Sequence, residues 1–129
     1  MAEKWNILLV DDDAEFMEEQ GKSLEAMGYQ VTKALGSHEG LEWVRSEIPD
    51  CIVVDMSMES HDDGILFAQK VKKYPLLAKV PVILLAVTDD SHPLPFTLEE
   101  DGYWLKVDEI VNKPVDTATL AKKIEKLIK

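Results

Sequence analysis

Three short, largely apolar runs in this chain each end in charge: residues 7–10 run into Asp11-Asp12-Asp13, residues 51–54 into Asp55, and residues 110–112 into Lys113-Pro114. Separated by helical patterns, such runs read as parallel strands of one α/β sheet covered on both faces by helices. In open sheets of that kind, ligands bind in the crevice at the carboxyl ends of the strands. Three carboxylates and one ammonium are therefore expected to meet at one edge.

The intervening segments supply the helices. Residues 14–27 place Phe16, Met17, Leu24 and Met27 at helical spacings, and Gly28 follows as a stop. Residues 29–35 alternate weakly as a second strand. Ser37 is expected to cap a second helix that turns Leu41, Trp43 and Val44 inward and ends before Pro49-Asp50. Gly64 opens a third helix carrying Ile65, Leu66, Ala68 and Val71, and Tyr74-Pro75 closes it. Residues 80–87 form a fourth buried strand. Residues 88–109 are less regular, with Pro93 and Pro95 and a short helix expected between Thr97 and Val107. After the fifth strand, residues 110–112, Asp116 or Thr117 caps a last helix with Leu120, Ala121, Ile124, Leu127 and Ile128 facing the core. Met17, Met27, Trp43 and Phe67 are expected in the core, and Lys122, Lys123, Lys126 and Lys129 on a solvated face. The pattern predicts one domain over residues 1–129, a doubly wound five-stranded parallel sheet of flavodoxin-like order 2-1-3-4-5.

Composition removes several classes of function. The single cysteine, Cys51, excludes an internal disulfide, and no Cys/His cluster has zinc spacing. The first continuous apolar run, residues 7–10, is only four residues long before the three aspartates, so the N-terminus does not read as a signal peptide. The longest apolar stretch, residues 80–87, is far short of the roughly 20 residues that span a bilayer. A cytoplasmic location without membrane attachment is expected. Residues 1–64 carry 16 acids against 4 bases, whereas residues 65–129 carry 9 against 10. A chain of net charge −11 repels phosphate backbones, so nucleic-acid binding by this domain is not expected.

Adjacent strands lie about 5 Å apart, so Asp11, Asp12 and Asp55 crowd together and raise one another's pKa unless a cation intervenes. Mg²⁺ suits an open acidic edge, since it takes one or two carboxylates, keeps several waters and accepts phosphate oxygens. One carboxylate can then act as a nucleophile toward phosphorus while the metal and an ammonium neutralise the transferring group. Lys113 has a stem long enough to reach across from the fifth strand. Lys113-Pro114 at a strand end also suits a cis peptide.

These pieces, in this order, resemble the response-regulator receiver domain over nearly the whole chain. The matching segments are Ile7-Leu8-Leu9-Val10-Asp11-Asp12-Asp13, Gly28-Tyr29-Gln30-Val31, Pro49-Asp50-Cys51-Ile52-Val53-Val54-Asp55, Asp63-Gly64, Val80-Pro81-Val82-Ile83 and Lys113-Pro114. The resemblance implies Asp55 as phosphoryl acceptor and Lys113 as the phosphate-pairing ammonium. It also implies a Mg²⁺ cofactor with Asp12 as a direct ligand, Asp11 as a mostly water-mediated one, Asp55 itself, and the Ser57 carbonyl. The implied partners are a sensor histidine kinase or histidine phosphotransfer protein and a downstream protein target. Beyond self-phosphorylation and dephosphorylation at Asp55, no enzyme activity is expected.

The chain also departs from the family. The loop from Met56 to Gly64 lacks the usual proline and is one residue longer, and about five extra residues lie between Ala86 and Lys113. The hydroxyl expected at the end of the fourth strand falls on Ala86, and the aromatic expected on the fifth falls on Ile110. Thr88, two residues beyond Ala86, is the candidate to take over the hydroxyl role. Two alternatives share the fold. A degenerate receiver would bind partners without being phosphorylated, and a phosphohydrolase of the haloacid dehalogenase type would need an acid where this chain has Ser57. A flavodoxin is disfavoured because three aspartates repel the phosphate its first loop must cradle. Gly64 reads as a backbone device, and His38, His61 and His92 have no nucleophile partner that would make a hydrolytic triad, although His61 lies near the acidic edge.

Overall fold

Five parallel strands form one sheet in the order β2-β1-β3-β4-β5. The computed structural model describes residues 4–60, 62–87, 94 and 96–128. Along the chain run β1 (Asn6–Asp11), α1 (Ala14–Ala26), β2 (Gln30–Leu35), α2 (Ser37–Val44), β3 (Cys51–Asp55) and α3 (Asp63–Lys72). A 3-10 turn (Pro75–Leu77) follows, then β4 (Val82–Val87), α4 (Leu98–Leu105), β5 (Glu109–Lys113) and α5 (Thr117–Ile128). The strand order and the parallel sense are those the apolar runs predict.

Period-two alternation divides the sheet between two cores. Ile7, Leu9, Cys51, Val53, Ile83 and Leu85 pack with Met17 and Leu24 of α1 and with Leu120 and Ile124 of α5. Leu8, Val10, Ile52, Val54, Val82 and Leu84 pack on the other side with Val44 of α2, Phe67 and Val71 of α3, and Leu105 of α4. Because both faces are covered, every residue of β3 is buried, which is why that strand reads as a continuous apolar run. Burial also holds the Cys51 thiol up at about 12, so it behaves as a small hydrophobe.

A polar clamp fastens the opposite end of the sheet. Lys72 Nζ donates to the Val80 carbonyl at 2.6 Å and to Asp108 Oδ2 at 3.2 Å, and the same Asp108 oxygen accepts the Val82 N–H at 2.8 Å. These charge-assisted bonds tie the end of α3 to the starts of β4 and β5. They close the strand ends remote from the acidic edge.

Several expectations are corrected at element boundaries. Met27 is 50% exposed rather than in the core, because α1 stops at Ala26 and Gly28, at φ +101, swings the chain toward β2. Gly36, not Ser37, occupies the N-cap of α2, and Ser37 is already helical. The third helix begins at Asp63, one residue before Gly64, and ends at Lys72, ahead of Tyr74-Pro75. The fourth strand starts at Val82, since Pro81 lacks the donor a strand residue offers. The third and fifth strands run on to include Asp55 and Lys113. The helix expected between Thr97 and Val107 is α4, where the Thr97 hydroxyl caps the Glu100 N–H at 3.2 Å. Lys123 is not merely solvated, for it pairs with Glu109 of β5 at 3.4 Å.

Candidate functional site

The carboxyl ends of β1, β3 and β5 bring four of the expected residues together. Val10 pairs in register with Val54, so Asp11 and Asp55 emerge side by side. Asp11 is 2% exposed and Asp55 7%, whereas Asp12, one residue past β1, is exposed. One carboxylate oxygen from each lies within 4.8 Å of the others. Lys113, the last residue of β5, reaches over β4 to place Nζ 3.0 Å from Asp11 Oδ2 and 3.6 Å from Asp55 Oδ1. The Lys113-Pro114 bond is cis, as its position suggested.

Local rules place each group. Asp13 caps α1, its Oδ1 accepting the Phe16 N–H at 3.0 Å, while its own N–H donates to Asp11 Oδ1 at 3.0 Å. The three aspartates of the run therefore have three tasks: Asp11 is buried in the pair with Lys113, Asp12 faces solvent, and Asp13 starts the helix. Behind Asp55, the Met56 N–H bonds the Leu85 carbonyl and the Gly64 N–H bonds the Met56 carbonyl, both at 2.8 Å. A Cβ on Gly64 would collide with the Asp55 carbonyl oxygen and come within 2.8 Å of Met56 Cα. Gly64 is thus the backbone device the sequence suggested. The longer loop is stitched without proline, with Asp63 accepting the Glu59 N–H at 3.1 Å and Ser60 donating to Asp62 at 3.2 Å.

The electrostatics favour a bound cation. Burial, then the neighbouring charge of Asp11, pushes the Asp55 carboxyl up to about 6, against the opposing pull of Lys113. One ammonium thus leaves two buried carboxylates incompletely compensated. A small hard cation seated among Asp11, Asp12 and Asp55 would supply the missing charge, and the convergence of their oxygens fits such an ion. Close to pH 7 Asp55 is still largely ionised.

The other expected positions lie in the loop after β3 and on β4 and β5. Ser57 is exposed in the loop after β3. Ala86 is 0% exposed and pairs with Asn112, and Ile110 packs partly buried against the core, so neither offers a hydroxyl or a ring to the edge. Thr88, His61 and His92 lie outside the described residues. One contact was missed in the sequence: the Phe16 ring lies beneath Lys113, with Nζ 4.3 Å from its centroid. Its only signal is an aromatic in the first turn after an acidic run. A groove of about 780 Å³ between α3 and α4 opens at the far end of the sheet. Its Lys72 and Asp108 belong to the clamp, and its Gln69 holds the Trp104 carbonyl at 2.6 Å, so the convergent charge marks the site better than cavity size does.

Comparisons with known proteins agree with this geometry. The family model described as "Response regulator receiver domain" matches residues 7–125. The chain is 30% identical over 125 residues to protein PilH of Pseudomonas aeruginosa, covering 95% of this chain and 96% of that protein. It is also 30% identical over its full length to the transcriptional regulatory protein CseB of Streptomyces coelicolor, of which it spans about half, 51%. Among solved structures, a signal receiver domain of a histidine kinase from Syntrophus aciditrophicus matches with a TM-score of 0.79 and 28% identity, covering 96% of this chain and 89% of that one. The chemotaxis response regulator CheY4 of Vibrio cholerae shares the fold, with a TM-score of 0.81 at 22% identity over 97% and 99% of the two chains. From its strand order to the acidic edge between β1 and β3, the chain belongs to the response regulator receiver domain family.

Proposed function

We propose that the chain acts over residues 1–129 as a phosphoacceptor: Asp55 takes a phosphoryl group from the phosphohistidine of a sensor kinase or histidine phosphotransfer protein, with Mg²⁺. The observation that supports this most is Lys113 Nζ poised beside Asp11 and Asp55, where a phosphoryl group on Asp55 would present its oxygens. An Asp55 carboxylate oxygen forms the new bond to phosphorus, the phosphorus–nitrogen bond of the donor breaks, and the imidazole leaves with the electron pair. Mg²⁺, when bound, neutralises the phosphoryl oxygens. Asp12 and Asp55 would hold it directly, Asp11 mostly through water, and the Ser57 carbonyl would complete the protein's share. Lys113 moves from the carboxylates toward the phosphoryl oxygens, and its ammonium offsets the charge that gathers there. The added charge then alters contacts with a downstream protein.

Intact-mass analysis tests the reading. Exposure to acetyl phosphate is expected to add one phosphoryl group in the presence of Mg²⁺, with loss of the gain in Asp55→Asn and when Mg²⁺ is chelated. A wild-type protein that stays unmodified with excess donor and metal would identify it as a phosphorylation-independent receiver.

A further inference from the structure

The Lys113 ammonium is held from two sides by groups of different kinds. On one side stand the carboxylates of Asp11 and Asp55, at 3.0 and 3.6 Å. On the other is the Phe16 ring, 4.3 Å from Nζ to centroid, well inside the roughly 6 Å over which a ring quadrupole attracts a cation. The Lys113 side chain is mostly covered, so water screens this attraction little. The ring itself is fixed twice. The Asp13 carboxylate holds the Phe16 N–H at the start of α1, and the side chain packs against the core formed with α5.

Building on the phosphoacceptor reading, we infer that Phe16 is a positioning residue for the transfer, a seat that keeps the Lys113 ammonium over the acidic edge as its anionic partners change. A cation beside Asp11 and a phosphoryl group on Asp55 both alter what the carboxylates offer the ammonium. The face of an uncharged ring is altered by neither. A four-carbon stem carrying a strongly hydrated charge otherwise has many rotamers that point into water. With Phe16 beneath it, the ammonium swings from Asp11 toward the transferring group over a short distance and loses less freedom on the way. The hydrophobic role of Phe16 in the core accounts for an apolar side chain at this position, and the placement of Lys113 over the ring face gives that side chain a second task.

The two roles separate experimentally, because the core needs volume whereas the seat needs a negative ring face. The rate constant for mass gain with acetyl phosphate and Mg²⁺ is measured for the full chain carrying Phe16→Leu, Phe16→Trp, or phenylalanine with one, two or three ring fluorines at position 16. Thermal melts of each verify folding. Phe16→Leu is expected to slow transfer about fivefold, the size of a partly desolvated cation–π contact, and Phe16→Trp to retain or exceed the wild-type rate. The nearly isosteric fluorinated rings are expected to lower the rate in step with each added fluorine. A fluorinated series as fast as wild type, or a Phe16→Leu protein of unchanged rate, would overturn the inference and leave the phosphoacceptor reading standing. Failure of the wild-type control to gain mass would instead remove that reading, and the seat's role in transfer with it.

Discussion

Gly64→Ala is expected to destabilise the protein by about 3 kcal/mol, toward the upper end of overpacking effects, although it adds a single methyl group. The position is buried, and its Cβ would run into the Asp55–Met56 peptide unit, meeting both the Asp55 carbonyl and Met56 Cα. A flexible side chain can rotate out of such a contact, but a peptide unit bonded to its neighbours cannot. The Met56 N–H is tied to Leu85 and its carbonyl to the Gly64 N–H, so relief must come from moving the end of β3. Urea denaturation at pH 7 reads the loss, and Asp55 is the residue whose placement suffers with it. A variant within 0.5 kcal/mol of wild type, the usual range for an uninvolved surface site, would show that the loop yields freely. Gly102→Ala serves as the control, because a Cβ there meets nothing within 4 Å.

The second large effect is in the pH dependence of the metal-free protein. Asp55 binds its proton more tightly in the folded state, with its pKa raised from 3.8 to about 6 by burial and by Asp11. Between those values the folded protein holds more protons than the unfolded chain, so stability falls as pH rises. This contribution is fully present below about pH 4 and is lost as pH climbs through about 6. It is the reverse of the usual salt-bridged carboxylate. From pH 4.5 to 7.5 the wild type is expected to lose about 1 to 2 kcal/mol relative to Asp55→Asn; the edge is open to water and ions, which reduces the full value of the shift. Mg²⁺ at pH 7.5 is expected to restore the wild type by mass action, and Asp12→Ala to remove most of that response. Parallel pH profiles for wild type and Asp55→Asn would show that the acidic edge carries no such repulsion.

Much of the site was legible because charge at the end of an apolar run has one place to go in a doubly wound sheet. Asp11 and Asp55 each end a buried strand, Lys113 ends the edge strand β5, and strand order alone makes β1 and β3 neighbours. What escaped prediction depends on local contacts that periodicity does not carry. Met27 is in phase with Leu24, yet the helix ends one residue earlier and the phase has no further meaning. Ser37 has good capping chemistry, but Gly36 already occupies the turn, with φ +92. Phe16 fits a helix facing the core whether or not a lysine crosses its ring. Nothing in the sequence separates the two cases, because the contact joins residues 97 positions apart.

The strand order has a further consequence for cooperativity. Lys113 is carried by β5, which has a neighbour on one side only, and outermost strands open most readily in native-state fluctuations. Whenever β5 opens at its carboxyl end, the central carboxylates lose their ammonium as well as the strand losing its ladder. The cost of opening therefore includes the charge of Asp55, two strands away. In Asp55→Asn the same opening exposes one carboxylate fewer, so amide exchange at Val111 and Asn112 should quicken even as global stability at pH 7.5 rises. In this way the chemistry at the centre of the sheet governs how tightly its rim is held.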